Sequence, residues 1–331
     1  MENFKAIDFH QSRDFSRKMN VTFEFIRQNF KALGKSILLI AGPPVMVASL
    51  IASTFMGEFL NLTQAAASNA GDTQVMETYF MSVSFWLQII LMMCFFLLSG
   101  IMTIATINNY ILLYEEKQTN RIEVSHVWER VRETFWMYFG TMFFFMLLGI
   151  AVYILMIIPI ALVAAISPAL IFLGVMLLFC VIFYLMVSVS LTFIVRAYEK
   201  KGFFDAIGRS FKLIQNKWWS TFGLIMVLYM VMIMISYIFI IPWYAVTVVS
   251  ALHNTSTETF EEPSTLWQVM TIVFFTLYYL AQMIFASLPN VGIAFQYFNL
   301  VELKEARGLL GKIDSIGQAP TPLSSSSEEQ Y

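Results

Sequence analysis

Hydrophobic and polar positions divide this chain into long blocks. Four stretches carry no charged residue: Glu77 to Glu115, Glu133 to Arg196, Lys217 to Glu258 and Glu262 to Glu302. Another apolar run opens near Ser36, after a charged lead. A helix crosses a hydrocarbon layer with roughly 20 apolar residues, and these runs reach or exceed that length. They lack the short alternating segments of a membrane β-barrel. The pattern predicts an all-α, polytopic membrane protein with six spans: about Ile37–Phe55, Ser82–Asn108, Phe139–Ile158, Ala169–Val195, Trp219–Ile241 and Leu266–Phe298. The run after Glu133 holds two helices, and Pro159 and Pro168 bracket the expected tight turn between them. Pro242 and Pro289 mark expected breaks in the last two spans.

The polar blocks repeat as well. "FGTMFFFMLLGIAVYILMIIP" (Phe139–Pro159) and "FGLIMVLYMVMIMISYIFIIP" (Phe222–Pro242) have the same length and the same frame. Each odd-numbered span follows a basic amphipathic stretch. In the first stretch Phe15, Met19, Thr22, Ile26, Phe30 and Leu33 share a stripe at helical spacing, with Arg and Lys elsewhere. Each even-numbered span ends on an aromatic residue followed by Glu and Lys, as in "YEEK" from Tyr114 and "YEKK" from Tyr198. The chain therefore reads as three parallel helical hairpins, over about 12–118, 119–201 and 202–305, each led in by an amphipathic helix. Residues 1–35 form an amphipathic N-terminal segment and 36–300 the six-helix membrane domain. Residues 301–331 form a tail, disordered from about 318, where Pro and Ser dominate.

Charge fixes the expected orientation. With six spans, all 20 Lys and Arg residues fall on one side: Lys5 to Lys35, Lys117 to Arg132, Arg196 to Lys217 and Lys304 to Lys312. The opposite loops carry only acids, at Glu58, Asp72, Glu77, Glu258, Glu261 and Glu262. Cytoplasmic loops are enriched in Lys and Arg, so both termini are expected in the cytoplasm of a bacterial inner membrane. Trp218 and Trp219 are expected at the inner interface, and Trp243, Tyr244 and Trp267 at the outer one. The N-terminus does not read as a cleaved signal, because its charged lead is long and no cleavage site follows a short apolar core. Composition agrees with the membrane reading, at 58% hydrophobic and 13% charged.

Candidate chemistry is sparse. The spans hold no ionisable residue at mid-depth, where such residues mark pathways and sites. His10, His126 and His253 all lie outside them, so Ser99-Gly100 has no histidine to activate a serine. "EEKQTNR" from Glu115 resembles the paired-glutamate signature of some membrane proteases, but its arginine is one position late and partner histidines are missing. His126, Glu129 and Glu133 share a helix face that reads as charged surface more simply than as a metal site. Cys94 and Cys180 are expected as buried small hydrophobes. Asn61-Leu62-Thr63 and Asn254-Thr255-Ser256 match the glycosylation pattern, which matters only in a secretory pathway. Catalytic residues, cofactors and metal ligands are expected to be none, and no nucleic-acid partner is indicated. Two sets of residues stand out for binding. Asn108, Asn109, Gln282 and Asn290 would line a polar crevice beside a broken span, or simply bond between helices. Arg17, Lys18, Arg27, Lys31, Arg130, Arg132, Arg209, Lys212 and Lys217 would meet the anionic lipids of the inner leaflet.

The segment "FDAIGRSFKLIQNKWWSTFGLIMVLYMV" carries a pattern of Ala206, Arg209, Ser210 and Leu213, then Trp219 and Gly223. Over Phe203–Gly317 it resembles the membrane domain of bacterial glycerophosphodiester phosphodiesterases and its stand-alone relatives. That family's catalytic carboxylates and histidines belong to a soluble domain without a counterpart here, so the resemblance implies membrane architecture and carries over no catalytic residue. The function expected is a non-enzymatic scaffold or subunit of an envelope assembly, acting through lipid or a membrane protein partner. The alternative is a permease-like component for a lipid or small apolar solute.

Overall fold

The computed structural model describes residues 5–68, 74–167, 170–256 and 265–306, with 308, 310 and 313. Among them every regular element is helical: α1 (Phe15–Ile40), α2 (Gly42–Ser68), α3 (Gln74–Phe80), α4 (Val83–Lys117), α5 (Val124–Ile166), α6 (Ile171–Val189), α7 (Thr192–Glu199), α8 (Phe203–Ile214), α9 (Trp218–Ser256), α10 (Thr265–Phe285) and α11 (Ser287–Glu305). Five helical stretches are long and apolar enough to cross a membrane, and a sixth is the pair α1–α2, bent by 60°. Within the chain α2 packs on α4, α5 on α6, and α9 on α10; α10 also packs on α2, and α4 on α5.

The three amphipathic leads take different forms. Gly42-Pro43-Pro44 bends the chain at Ala41, because neither proline can donate to the preceding turn, so α1 is set off from α2 by an angle. No Gly or Pro interrupts Val124 to Phe139, and the second lead runs into its span as one helix of 43 residues. The third lead is a short separate helix, α8, ended before α9 where Asn216 takes a φ of 66°. Pro159 and Pro242 lie inside continuous helices and do not break them. The turn after α5 falls beyond Ile166, and Pro168 lies outside the described residues. Span four is broken at Ser190–Leu191, between α6 and α7. The break near Pro289 comes at Ala286, one turn earlier, since a proline ring clashes with the carbonyl four residues before it. Ser287 Oγ donates to Ile284 O at 2.7 Å and Asn290 Nδ2 to Ala286 O at 2.7 Å, satisfying carbonyls the break exposes.

The main core sits at the end of the bundle that gathers the basic residues. It joins Phe25, Leu33 and Ile37 of α1, Ile107 to Tyr114 of α4, Val127 to Tyr138 of α5, Ile194 of α7, Leu213 of α8 and Val291 to Val301 of α11. A small second cluster of Ala52, Ile240, Trp243 and Phe275 lies along α2, α9 and α10. Trp243 is thus a core residue, 8% exposed, rather than an interface anchor. Trp219, 77% exposed, keeps the outward position expected of one. Cys94 and Cys180 are free and exposed on the outer faces of α4 and α6, not buried. Gly292 allows the close approach of α9 and α11, because Leu228 Cδ1 occupies the space a Cβ there would take.

The buried face of α1 overlaps the apolar stripe only in part, at Thr22 and Leu33. Phe15 and Phe30 are 42% and 51% exposed, while Lys18, Val21, Thr22, Phe25, Asn29, Leu33 and Ser36 are buried. The inward stripe is rotated by about 60° from the apolar one. Its polar members are each satisfied: Asn29 Nδ2 donates to Phe25 O at 2.9 Å, Ser36 Oγ to Ala32 O at 2.8 Å, and Tyr110 OH to Asn29 Oδ1 at 3.0 Å.

Candidate functional site

Three polar clusters and one aromatic plug organise the basic end. The plug is the extended segment before α1. Ile7 and Phe9 alternate with Asp8 and His10, so both apolar side chains point the same way, and both are buried. Phe9 stacks on Phe295 at 4.9 Å between ring centroids and meets Phe25, Tyr114 and Phe298 edge-on. Ile7 N donates to Tyr114 OH at 3.1 Å, and Arg13 N donates to Asn299 Oδ1 at 2.7 Å. The alternation in "IDFH" was the available signal for this strap, hidden in a segment that reads as a solvated lead.

His10 closes the strap. Its Nε2 lies 3.1 Å from Glu115 Oε1 and 3.4 Å from Tyr198 OH. The hydrogen bond to Glu115 holds the His10 imidazolium above its ordinary pKa, with Asp8 and Glu302 adding to the effect and burial opposing it. Gly308 packs against His10 so closely that a Cβ there would meet the His10 carbonyl at 2.6 Å, and its N–H donates to Glu302 Oε2 at 2.7 Å.

The second cluster centres on Glu199 at the end of α7. Arg209 Nε donates to both Glu199 oxygens, at 3.1 and 3.2 Å, and Nη2 lies 3.0 Å from Oε1. Lys201 Nζ is 2.9 Å from Glu199 Oε2, Tyr297 OH donates to Oε1 at 2.8 Å, and Arg209 Nη1 pairs with Glu305. The bond to Glu305, reinforced by Glu199, raises the pKa of the Arg209 guanidinium further. Arg209 is therefore an internal clamp between α7, α8 and α11 and does not face lipid. The rest of its pattern packs too: Ala206, Ser210 and Leu213 are buried, and Ser210 Oγ donates to Ser188 O at 2.6 Å.

Lys18 forms the third cluster. It is 3% exposed, and its Nζ donates to Gln296 Oε1 at 2.7 Å and Ser220 Oγ at 3.3 Å. Gln296 Nε2 in turn donates to Thr221 Oγ1 at 2.8 Å. Lys18 ties α1 to α9 and α11 and is sealed from lipid, contrary to the expectation for it. Among the other expected lipid contacts, Arg130 bonds Glu116 at 2.7 Å, and Arg17 reaches Asp14 at 3.8 Å on the surface. Arg27, Lys31, Arg132, Lys212 and Lys217 are exposed.

The expected crevice residues serve separate partners. Asn109 Nδ2 donates to Thr134 Oγ1 at 2.8 Å, Asn290 Nδ2 turns back to the Ala286 carbonyl, and Asn108 is buried. Gln282 is half-buried on α10. No hydrogen bond joins any two of the four among the described residues. Family models, curated proteins and solved structures were compared with the chain, and none matches.

Proposed function

We propose that the protein is a membrane scaffold or subunit of a bacterial inner-membrane assembly, acting through lipid and a membrane protein partner. In this reading three hairpins enter from the cytoplasmic side, the basic end lies in the cytoplasm, and the protein catalyses no reaction. The observation that carries the reading is the α5–α6 arm. Beyond Thr141, α5 buries none of its described residues, and α6 buries none before Val187. The most apolar window of α5 is long enough to span, and none of its residues is buried by the rest of the chain. Ile160 lies 3.1 Å from where a Cβ on Gly174 would sit, so the two arm helices pack closely on each other. A two-helix arm held at one end and bare along its length presents a ready surface for another helix, since helix association in lipid is driven by close packing.

A photo-crosslinking residue at Leu155 or Phe172, in native membranes, tests this. One discrete protein adduct at both positions is the expected result. Lipid adducts alone would sink the partner reading, and a small solute captured inside the bundle would favour the permease alternative. Orientation is checked separately with Gln118→Cys in a Cys94→Ser, Cys180→Ser background. An impermeant thiol reagent should reach it only after the cells are opened.

A further inference from the structure

We infer that the groove between α1 and the α4–α5 connection is a binding site for the phosphate of an anionic lipid headgroup. The groove has a volume of about 680 Å³ and is lined by Arg27, Gln28, Phe30, Lys31, Asn120 and Arg121, with Ala32. That size suits a small-molecule site, which typically holds about 300–1,000 Å³. Its lining has three cations and no carboxylate. The inference rests on the lipid-contact part of the proposed function and narrows it to one place.

Several cations elsewhere at this end are neutralised internally, and those that are not, such as Arg132 and Lys217, line neither of the two grooves. Arg209 and Lys201 are held by Glu199 and Glu305, and Arg130 by Glu116. Arg27, Lys31 and Arg121 have no ion pair among the described residues. Of the nearby acids, Glu116 is paired with Arg130; Glu24 accepts from the groove's own Gln28 at 3.2 Å and Glu123 from Ser125 at 3.3 Å, and neither lines the groove. Three positive charges thus line one groove with no carboxylate in its lining and no ion pair among the described residues. Arg and Lys bind phosphate through charge-assisted hydrogen bonds, and Asn120 adds an amide beside them.

A lipid is favoured over free phosphate by Phe30. It lines the same groove and is 51% exposed, and Leu38 and Leu39, further along α1 toward the apolar half, are 40% and 58% exposed. Cationic head and apolar flank lie in the order that a lipid's phosphate and acyl chains require. A second groove provides a built-in contrast. It is lined by Lys201, Phe204, Asp205, Gly208, Arg209 and Lys212, but Asp205 is present and two of its cations are already paired.

The test uses the full chain in micelles of a non-ionic detergent. Dihexanoyl phosphatidylglycerol, dihexanoyl phosphatidylcholine and inorganic phosphate are each titrated while bound lipid is counted by native mass spectrometry. One saturable phosphatidylglycerol is expected, with phosphatidylcholine weaker. R27Q, K31Q and R121Q should each weaken it by about tenfold, the value of one charge-assisted hydrogen bond. K212Q should change it by less than about twofold. Equal loss in all four variants would mean diffuse attraction and overturn the site. Full displacement by inorganic phosphate at equal concentration would overturn the lipid assignment. Each variant should melt as the parent does, since these side chains are exposed. Adducts at Leu155 report on the arm independently, so either reading can fail alone.

Discussion

From Val124 to Thr141, α5 buries Val127, Val131, Tyr138 and Thr141; from Met142 onward it buries none of its described residues. Both halves are helix, and the second is the more apolar. In water that order would be reversed, because apolar surface drives burial there. Lipid tails are as apolar as leucine, so hydrophobicity gives helices no reason to associate within the bilayer. What pins the first half is specific: Asn109 to Thr134, Tyr138 stacked on Phe193, and Arg196 to the Met137 carbonyl at 3.1 Å. Burial in this molecule follows polar partners and aromatic fit more than apolar content.

The largest effect should come from breaking the best-connected polar cluster. Arg209→Met takes the two-pronged partner from Glu199, whose side chain is 7% exposed and keeps Lys201 and Tyr297, and also breaks the pair with Glu305; it should cost about 3 kcal/mol, the low end for removing one partner from a buried pair. Unfolding in mixed detergent micelles measures it, and the double variant Arg209→Met, Glu199→Gln should recover part of the loss. An unchanged midpoint for the single variant would remove the clamp from the account of stability. Phe9→Ala should cost about 2 kcal/mol, less than the usual 3–5 for a truncated core aromatic, because the strap can lift away as a unit. Hydrogen exchange of residues 5–13 should rise sharply, and exchange elsewhere little.

A smaller effect concerns His10. Its pKa is raised above 6.5 in the folded chain, so its contribution is full below about that pH and is lost as pH climbs through the raised value. Strap protection, corrected for the intrinsic rise of amide exchange with pH, should therefore fall as pH rises above about 6.5, and Glu115→Gln should flatten the corrected profile. A parent chain as flat as the variant would show that the His10–Glu115 contact does not hold the strap. The smallest effect belongs to the arm. Leu155→Ala, at a side chain 68% exposed, should change micellar stability by no more than about 0.5 kcal/mol. The same substitution measured in native membranes sharpens the contrast. A loss there that micelles do not show would mark a neighbour supplied by the membrane.

Much of this architecture was legible in the residues. The uncharged runs coincide with α2, α4, α5–α6, α9 and α10–α11, because a span must be long and nearly free of charge. The break at Ala286 was legible from Pro289, one turn beyond it. The inward face of α1 was not. The apolar stripe through Phe15, Ile26 and Phe30 shows in the spacing, but nothing in it marks Lys18 and Asn29 as side chains that bond inward. Arg209 and Lys18 looked like lipid contacts for a related reason: a sequence shows the cation and not the distant Glu305 or Gln296 that takes it up. Ser190 ends α6 with no Pro or Gly to announce it, and we have no sequence signal for that break.

At 1.5 Å per residue, the 43 residues of α5 make a rod about 65 Å long, about twice the thickness of a hydrocarbon core. Its foot is packed against α1, α4 and α7, and its far half lies along α6. Such a rod is a lever. When the surrounding bilayer thins, its free half must tilt, flex near Pro159 or drag the surrounding lipid with it. Local membrane thickness is thereby coupled to torque on the packed foot.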